Sequence, residues 1–132
     1  MSNEISIITD SAAATEACGT RIGALLRDYG KGVVVCLSGD LGAGKTVFVK
    51  GVAAAFGIPP HDICSASFVL ISEYETTPRF VHVDLYRLEK TVDIEELGIW
   101  EYIDDDTITI IEWAERLNEQ PDHLVEITIK IL

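Results

Sequence analysis

Val33-Val34-Val35-Cys36-Leu37, one serine, and then Gly39-Asp40-Leu41-Gly42-Ala43-Gly44-Lys45-Thr46 form the stretch on which the fold turns. The first five residues are an apolar run without polar alternation. Such a run suits a strand covered on both faces, as in a parallel sheet. The next eight fit G-x-x-x-x-G-K-[ST] in full, and residues 46–56 read as a helix stopped by Gly57 and Pro59-Pro60. Strand, glycine loop and helix in that order are the context this motif requires. Glycines let successive backbone N–H groups curl inward onto phosphate oxygens, where side chains would block the approach. The helix start adds its partial positive charge to the same spot. Lys45 can neutralise β and γ phosphates, and the Thr46 hydroxyl can take one coordination place on Mg2+.

Outward from this centre, residues 5–9 read as a short strand. Asp10 or Ser11 can cap a helix that follows, since either side chain accepts from the open donors of a first turn. Within it Ala14, Cys18, Ile22, Leu25, Leu26 and Tyr29 recur at steps of three and four, which predicts a single apolar stripe, ended at Gly30 and Gly32. Residues 68–74, 80–85 and 107–111 read as further strands, and residues 95–103 as one or two helical turns. Residues 124–132 alternate as a half-exposed strand. The chain stops within that strand, which reads as a truncated form of something slightly longer. The expectation is one α/β domain over residues 1–132: a P-loop NTPase-like, three-layer fold with a largely parallel central sheet flanked by helices.

Composition narrows the function. Ten lysines and arginines stand against 22 aspartates and glutamates, a formal net charge of −12. A surface so acidic is a poor direct grip on a nucleic-acid backbone, which needs basic residues to displace counterions. No apolar run approaches the roughly 20 residues that cross a bilayer, and Met1-Ser2-Asn3-Glu4 lacks the basic start of a signal peptide. Cys18, Cys36 and Cys64 are odd in number and show no C-x-x-C spacing. They read as buried small apolar residues in a reducing compartment, with no disulfide-linked partner and a cytoplasmic location expected.

A glycine loop of this kind works with an acid at the end of a neighbouring buried strand. Two strands end that way: Phe80-Val81-His82-Val83 leads to Asp84, and Ile108-Thr109-Ile110-Ile111 leads to Glu112. Both acids belong at the carboxyl edge of a sheet, where α/β folds bind ligands. Either could hold the magnesium shell or orient the attacking water, and the pattern alone leaves the assignment open. His82 shares a sheet face with Asp84, two residues on, and suits a structural hydrogen bond. Trp113 suits packing or the lining of the site. Glu101, Asp104, Asp105 and Asp106 read as a solvated loop, or as a docking face for a basic partner.

The glycine loop, the segment His82-Val83-Asp84-Leu85-Tyr86-Arg87-Leu88 and the pair Glu112-Trp113 together resemble the TsaE (YjeE) family, bacterial P-loop ATPases of tRNA threonylcarbamoyladenosine (t6A) biosynthesis. The family pattern reads G-D-L-G-A-G-K-T, H-x-D-x-Y-R and E-W in this order. The resemblance runs from the first helix to the last strand. It implies that Gly39, Asp40, Leu41, Gly42, Ala43, Gly44, Lys45 and Thr46 bind the phosphates of ATP, with Thr46 and Glu112 on Mg2+. It implies that Asp84 is an active-site acid needed for hydrolysis, and that Ser11 or Thr15 lies near the nucleotide. Adenine preference rests on the resemblance alone. Two features depart from the family. Where Ser-Pro-Thr and an aromatic residue are usual, this chain has Ser65-Ala66-Ser67-Phe68, which keeps a hydroxyl and loses the fixed φ of proline. The glycine and basic residue that commonly follow the last strand are also missing.

By the same resemblance, the protein partners are the TsaB–TsaD heterodimer, with tRNA engaged only indirectly and no membrane involved. The expected reaction is attack of water on the γ-phosphoryl of Mg·ATP, catalysed by Lys45, Asp84 and Glu112 through positioning and charge neutralisation. Beyond the loop the only arginines are Arg79, Arg87 and Arg116. A supplied arginine finger is worth about 10³–10⁵ in rate, so slow turnover alone, raised by partners, is expected. A small-molecule kinase needs several arginines to hold two phosphorylated substrates and is disfavoured. A GTPase is disfavoured because no N-K-x-D stretch occurs. An ATP-gated binding module, with hydrolysis incidental, draws on the same residues and stays open.

Overall fold

The computed structural model describes residues 3–39, 44–63, 71–85, 98–114, 117 and 124–130. Residues 40–43 of the glycine loop, the segment 64–70, Tyr86, Arg87, Arg116 and the first part of the helical turns expected at 95–103 lie outside them. In chain order the elements are β1 (Asn3–Ile8), α1 (Ala12–Tyr29), β2 (Val33–Ser38), α2 (Lys45–Ala54), β3 (Ile71–Tyr74), β4 (Arg79–Asp84), β5 (Thr107–Glu112) and β6 (Leu124–Lys130). Short 3₁₀ turns occupy Pro60–Asp62 and Ile99–Glu101.

The six strands form one sheet in the order β1-β6-β2-β5-β4-β3. The first five run parallel, and β3 joins β4 antiparallel at the edge. This is the mixed, largely parallel α/β sheet expected from the sequence. β2 and β5 lie inside it, and all six residues of β5 are buried. Cover on both faces explains why β2 reads as a continuous apolar run; β5 is buried as well, with Thr107 and Thr109 inside it.

Alternation along the strands sorts the core into two layers. On one face Val35, Leu37, Phe80, Ile108, Ile110 and Ile127 pack against Phe48, Val49 and Val52 of α2 and against Cys18, Ile22 and Leu26 of α1. On the other, Val34, Cys36, Val81, Val83 and Ile111 meet Leu85, Ile99, Ala114 and Leu117.

Helix α1 starts where a capping residue was expected, with the Ser11 hydroxyl oxygen accepting from the Ala14 N–H at 3.0 Å. It ends at Gly30 in the left-handed conformation. The apolar stripe expected along this helix is narrower than its sequence suggests. Thr15, Gly19 and Gly23 are buried, whereas Leu25 and Tyr29 are 68% and 62% exposed. At 100° per residue Leu25 sits about 120° round the helix from Gly19. Tyr29 falls in the last turn, where α2 has ended and Arg27 donates to the Ala55 carbonyl at 2.8 Å. Small residues, not large apolar ones, mark the closest approach. A Cβ on Gly19 would lie 2.3 Å from the Phe48 carbonyl oxygen, and one on Gly51 would lie 2.1 Å from that of Glu16.

Candidate active site

Parallel register brings the chemistry to one edge. Leu37 of β2 and Asp84 of β4 are both partners of Glu112 in β5, so the carboxyl ends of three neighbouring strands stand level. Gly39 follows β2 at that edge, and α2 begins there with Lys45. Even-numbered positions of β4 and β5 face α2, so His82, Asp84 and Glu112 share the side on which Lys45 lies.

Lys45 is 5% exposed, and its ammonium donates to the Gly39 carbonyl across the mouth of the loop. The same nitrogen lies 3.6 Å from the centroid of the Trp113 ring, a cation–π contact. Trp113 has φ +60, a left-handed conformation that costs a residue with a side chain about 1–2 kcal/mol. Strain of that kind persists where surrounding structure enforces it, often at functional sites. Gly44, with φ +90, precedes α2, and among the described residues no side chain caps this helix end. The open N–H groups of a first turn are the ready-made anion site that a phosphate fills.

Asp84 and Glu112 are 5% and 2% exposed and stand opposite each other across β4 and β5. Two carboxylates so buried need compensation. For Glu112 it comes from His82, 3% exposed, whose Nε2 lies 2.5 Å from Glu112 Oε2. Thr46, the second residue of α2, is half-buried.

The two residues expected near the nucleotide separate in role. Thr15 is buried, donates to the Ser11 carbonyl at 3.0 Å, pairs with the Thr9 hydroxyl and abuts the loop: a Cβ on Gly44 would meet Thr15 Cγ2 at 3.5 Å. Ser11 instead serves as the cap of α1. The Lys45–Trp113 contact escaped the sequence reading because it depends on which strands pair; the Thr9–Thr15 pair, six residues apart, is local and carries no motif that marks it.

The acidic cluster lies at the opposite end of the sheet, before the first residue of β5. Asp104 accepts from the Asp106 N–H at 2.8 Å. The Thr107 hydroxyl, that amide and the charge of Arg79 hold the Asp104 carboxyl below its usual range. Of the cysteines expected to be buried, Cys36 is buried and Cys18 is half-buried. Burial, with Glu126 beside it in register, pushes the Cys36 thiol up to about 12.

A parallel sheet whose inner strand hands over to a glycine loop, with a helix N-terminus at the same edge, puts the molecule in the P-loop class of α/β proteins. The family model described as "Threonylcarbamoyl adenosine biosynthesis protein TsaE" matches residues 9–131, and the chain belongs to that family. It is 38% identical to "tRNA threonylcarbamoyladenosine biosynthesis protein TsaE" of Treponema pallidum, over 95% of this chain and 90% of that one. It is 36% identical to the protein of the same description from Aquifex aeolicus, over 93% of this chain and 86% of that one. Among solved structures, the crystal structure of YdiB from Bacillus subtilis superposes with a TM-score of 0.66 at 33% identity, covering 92% of this chain and 73% of that one.

Proposed function

We propose that this chain is a Mg-dependent ATPase that serves the t6A modification of tRNA together with the TsaB–TsaD heterodimer. The observation that carries the reading is the buried Lys45 at the start of α2, on the same sheet face and edge as the facing carboxylates Asp84 and Glu112. The phosphates of ATP would lie along Gly39 to Thr46, on the backbone N–H groups of the loop and of the first turn of α2. Lys45 would exchange the Gly39 carbonyl and the Trp113 face for phosphate oxygens.

The donor chemistry fits Mg2+. Among the described residues no group of three or more His, Cys, Asp or Glu could form a cage for a metal ion. Mg2+ does not use one: it binds through one or two carboxylates plus substrate phosphates and keeps several waters. Thr46 and Glu112 are the hard oxygen donors that would hold it. Bound there, it would neutralise charge on the phosphate oxygens. Asp84, level with Glu112, is the acid to orient the attacking water or to fix the metal shell.

Among the described residues, cations beyond Lys45 are scarce for the charge that spreads over the phosphoryl oxygens; Arg87 and Arg116 lie outside them. Arg79 opens β4 and pairs with Glu73 at 3.5 Å, roughly 16 Å along the strand from Asp84 at 3.3 Å per residue. The chain alone should therefore turn over slowly. The test is Mg·ATP hydrolysis by this chain alone and then with the TsaB–TsaD pair. A slow rate that rises with the pair supports the proposal. Tight ATP binding without hydrolysis in either condition overturns it and leaves an ATP-gated module, the reading that the same scarcity of cations favours. Phosphate transfer to a small acceptor in place of water would instead make it a kinase.

A further inference from the structure

We propose that His82 is a positioning residue for Mg2+: it holds the Glu112 carboxylate by one oxygen so that the other is presented to the metal. This rests on the reading of Glu112 as a metal ligand. In register Glu112 stands opposite Asp84, while His82 stands opposite Ile110, one same-face step back from the edge. Two facing carboxylates on strands about 4.8 Å apart repel each other. A hydrogen bond from behind fixes one of them against that repulsion. The His82 imidazole, 3% exposed, lies with Nε2 at 2.5 Å from Glu112 Oε2, and that side chain is 2% exposed. A carboxylate that ligates a metal only accepts, so on this reading Nε2 is the donor of the pair. The bond engages Oε2, and Oε1 remains as the oxygen to meet a cation at the carboxyl edge. The spacing of the histidine and the aspartate follows from this geometry. Two residues apart on β4, they face Glu112 together, one from opposite and one from behind.

Ligating carboxylates are commonly held by such outer partners, whose loss costs about 10–100-fold in metal affinity. The experiment is a titration of ADP binding against Mg2+, with binding in EDTA measured in parallel, for wild type, His82→Leu, His82→Gln and His82→Asn. Gln carries an amide N–H to the reach of Nε2; Asn falls short of it, and Leu has none. His82→Leu should raise the Mg2+ concentration for half-maximal binding by about 10–100-fold, with ADP affinity in EDTA unchanged. His82→Gln should recover most of that shift and His82→Asn little of it. If His82→Leu does not fold, the order of Gln and Asn decides. A wild-type Mg2+ midpoint in His82→Leu, or equal midpoints for Gln and Asn, overturns the proposal. Glu112→Gln is the control on the underlying reading. If it leaves the Mg2+ dependence intact, Glu112 is not a ligand, and that reading fails by itself.

Discussion

Gly51 sits inside α2, where alanine would ordinarily raise helix stability by about 1 kcal/mol. The structure predicts the opposite sign for Gly51→Ala. The new Cβ would lie 2.1 Å from the Glu16 carbonyl oxygen, 2.9 Å from its carbon and 3.0 Å from the Thr20 nitrogen, all of them backbone atoms of α1. No rotamer change relieves a clash with backbone. Ordinary contact begins near 3.4 Å, so the helices must part by about 1.3 Å, and a gap of about 1 Å already forfeits roughly half of a contact's dispersion energy. That loss falls on Phe48, Val49 and Val52, each 0% exposed. Overpacking costs about 1–3 kcal/mol, and a backbone obstacle belongs at the upper end. After the propensity gain, a net loss of about 2 kcal/mol remains, or a Tm lower by roughly 6 °C for a chain of this size. Because α2 carries Lys45 and Thr46 at its start, ADP affinity should fall as well. Thermal unfolding by circular dichroism, with ADP titration beside it, checks both. Gly57→Ala is the contrast: φ is +81 and, among the described residues beyond its chain neighbours, nothing lies within 4 Å of an added Cβ, so it should cost stability through backbone strain and leave ADP affinity alone. A Gly51→Ala protein that melts at or above the wild-type temperature would refute the close-packing argument.

Asp84→Asn should keep ATP binding while lowering single-turnover hydrolysis by about 10²–10⁴-fold, the usual worth of a positioned acid or base; an unchanged rate removes Asp84 from the chemistry. Lys45 must leave the Trp113 ring to reach phosphates, so ADP should change tryptophan emission, and Trp113→Phe, which leaves Trp100, should abolish the change. Ser11→Ala should cost about 1 kcal/mol by removing the α1 cap, and Ser11→Asp should retain it; equal melting of Ser11→Ala and wild type contradicts the cap. Since the Cys36 thiol is raised from 9.0 to about 12, its proton is released more readily by the unfolded chain. Its contribution is therefore complete below pH 9 and is lost as pH rises towards about 12. Urea unfolding across that window should show a steeper fall for wild type than for Cys36→Ala.

What the sequence made legible was local. β2, the glycine loop and α2 were readable because strand, loop and helix are contiguous, and because a doubly covered strand leaves an unbroken apolar run. Asp84 and Glu112 were readable as strand ends. Their mutual opposition was not, since register between β4 and β5 belongs to pairing across more than twenty residues. The same limit hid the His82–Glu112 bond, whose partners are 30 residues apart, and the seat of Lys45 on Trp113. Helix α1 misled in a different way. Its large apolar residues suggested the buried side, but the contact with α2 is so close that glycines occupy it and Leu25 is turned outward.

The proposed function places the phosphates of ATP, with Mg2+, at the carboxyl edge around Lys45. A calorimetric titration of the wild-type chain and of Lys45→Ala with ATP, in Mg2+ and in EDTA, tests it most directly. The prediction is one site whose affinity falls without Mg2+ and falls by roughly 10–100-fold in Lys45→Ala, as expected for a lost charge-assisted contact of about 1.5–3 kcal/mol. A wild-type chain that does not bind ATP, or a Lys45→Ala chain that binds it as well as wild type, would contradict the claim.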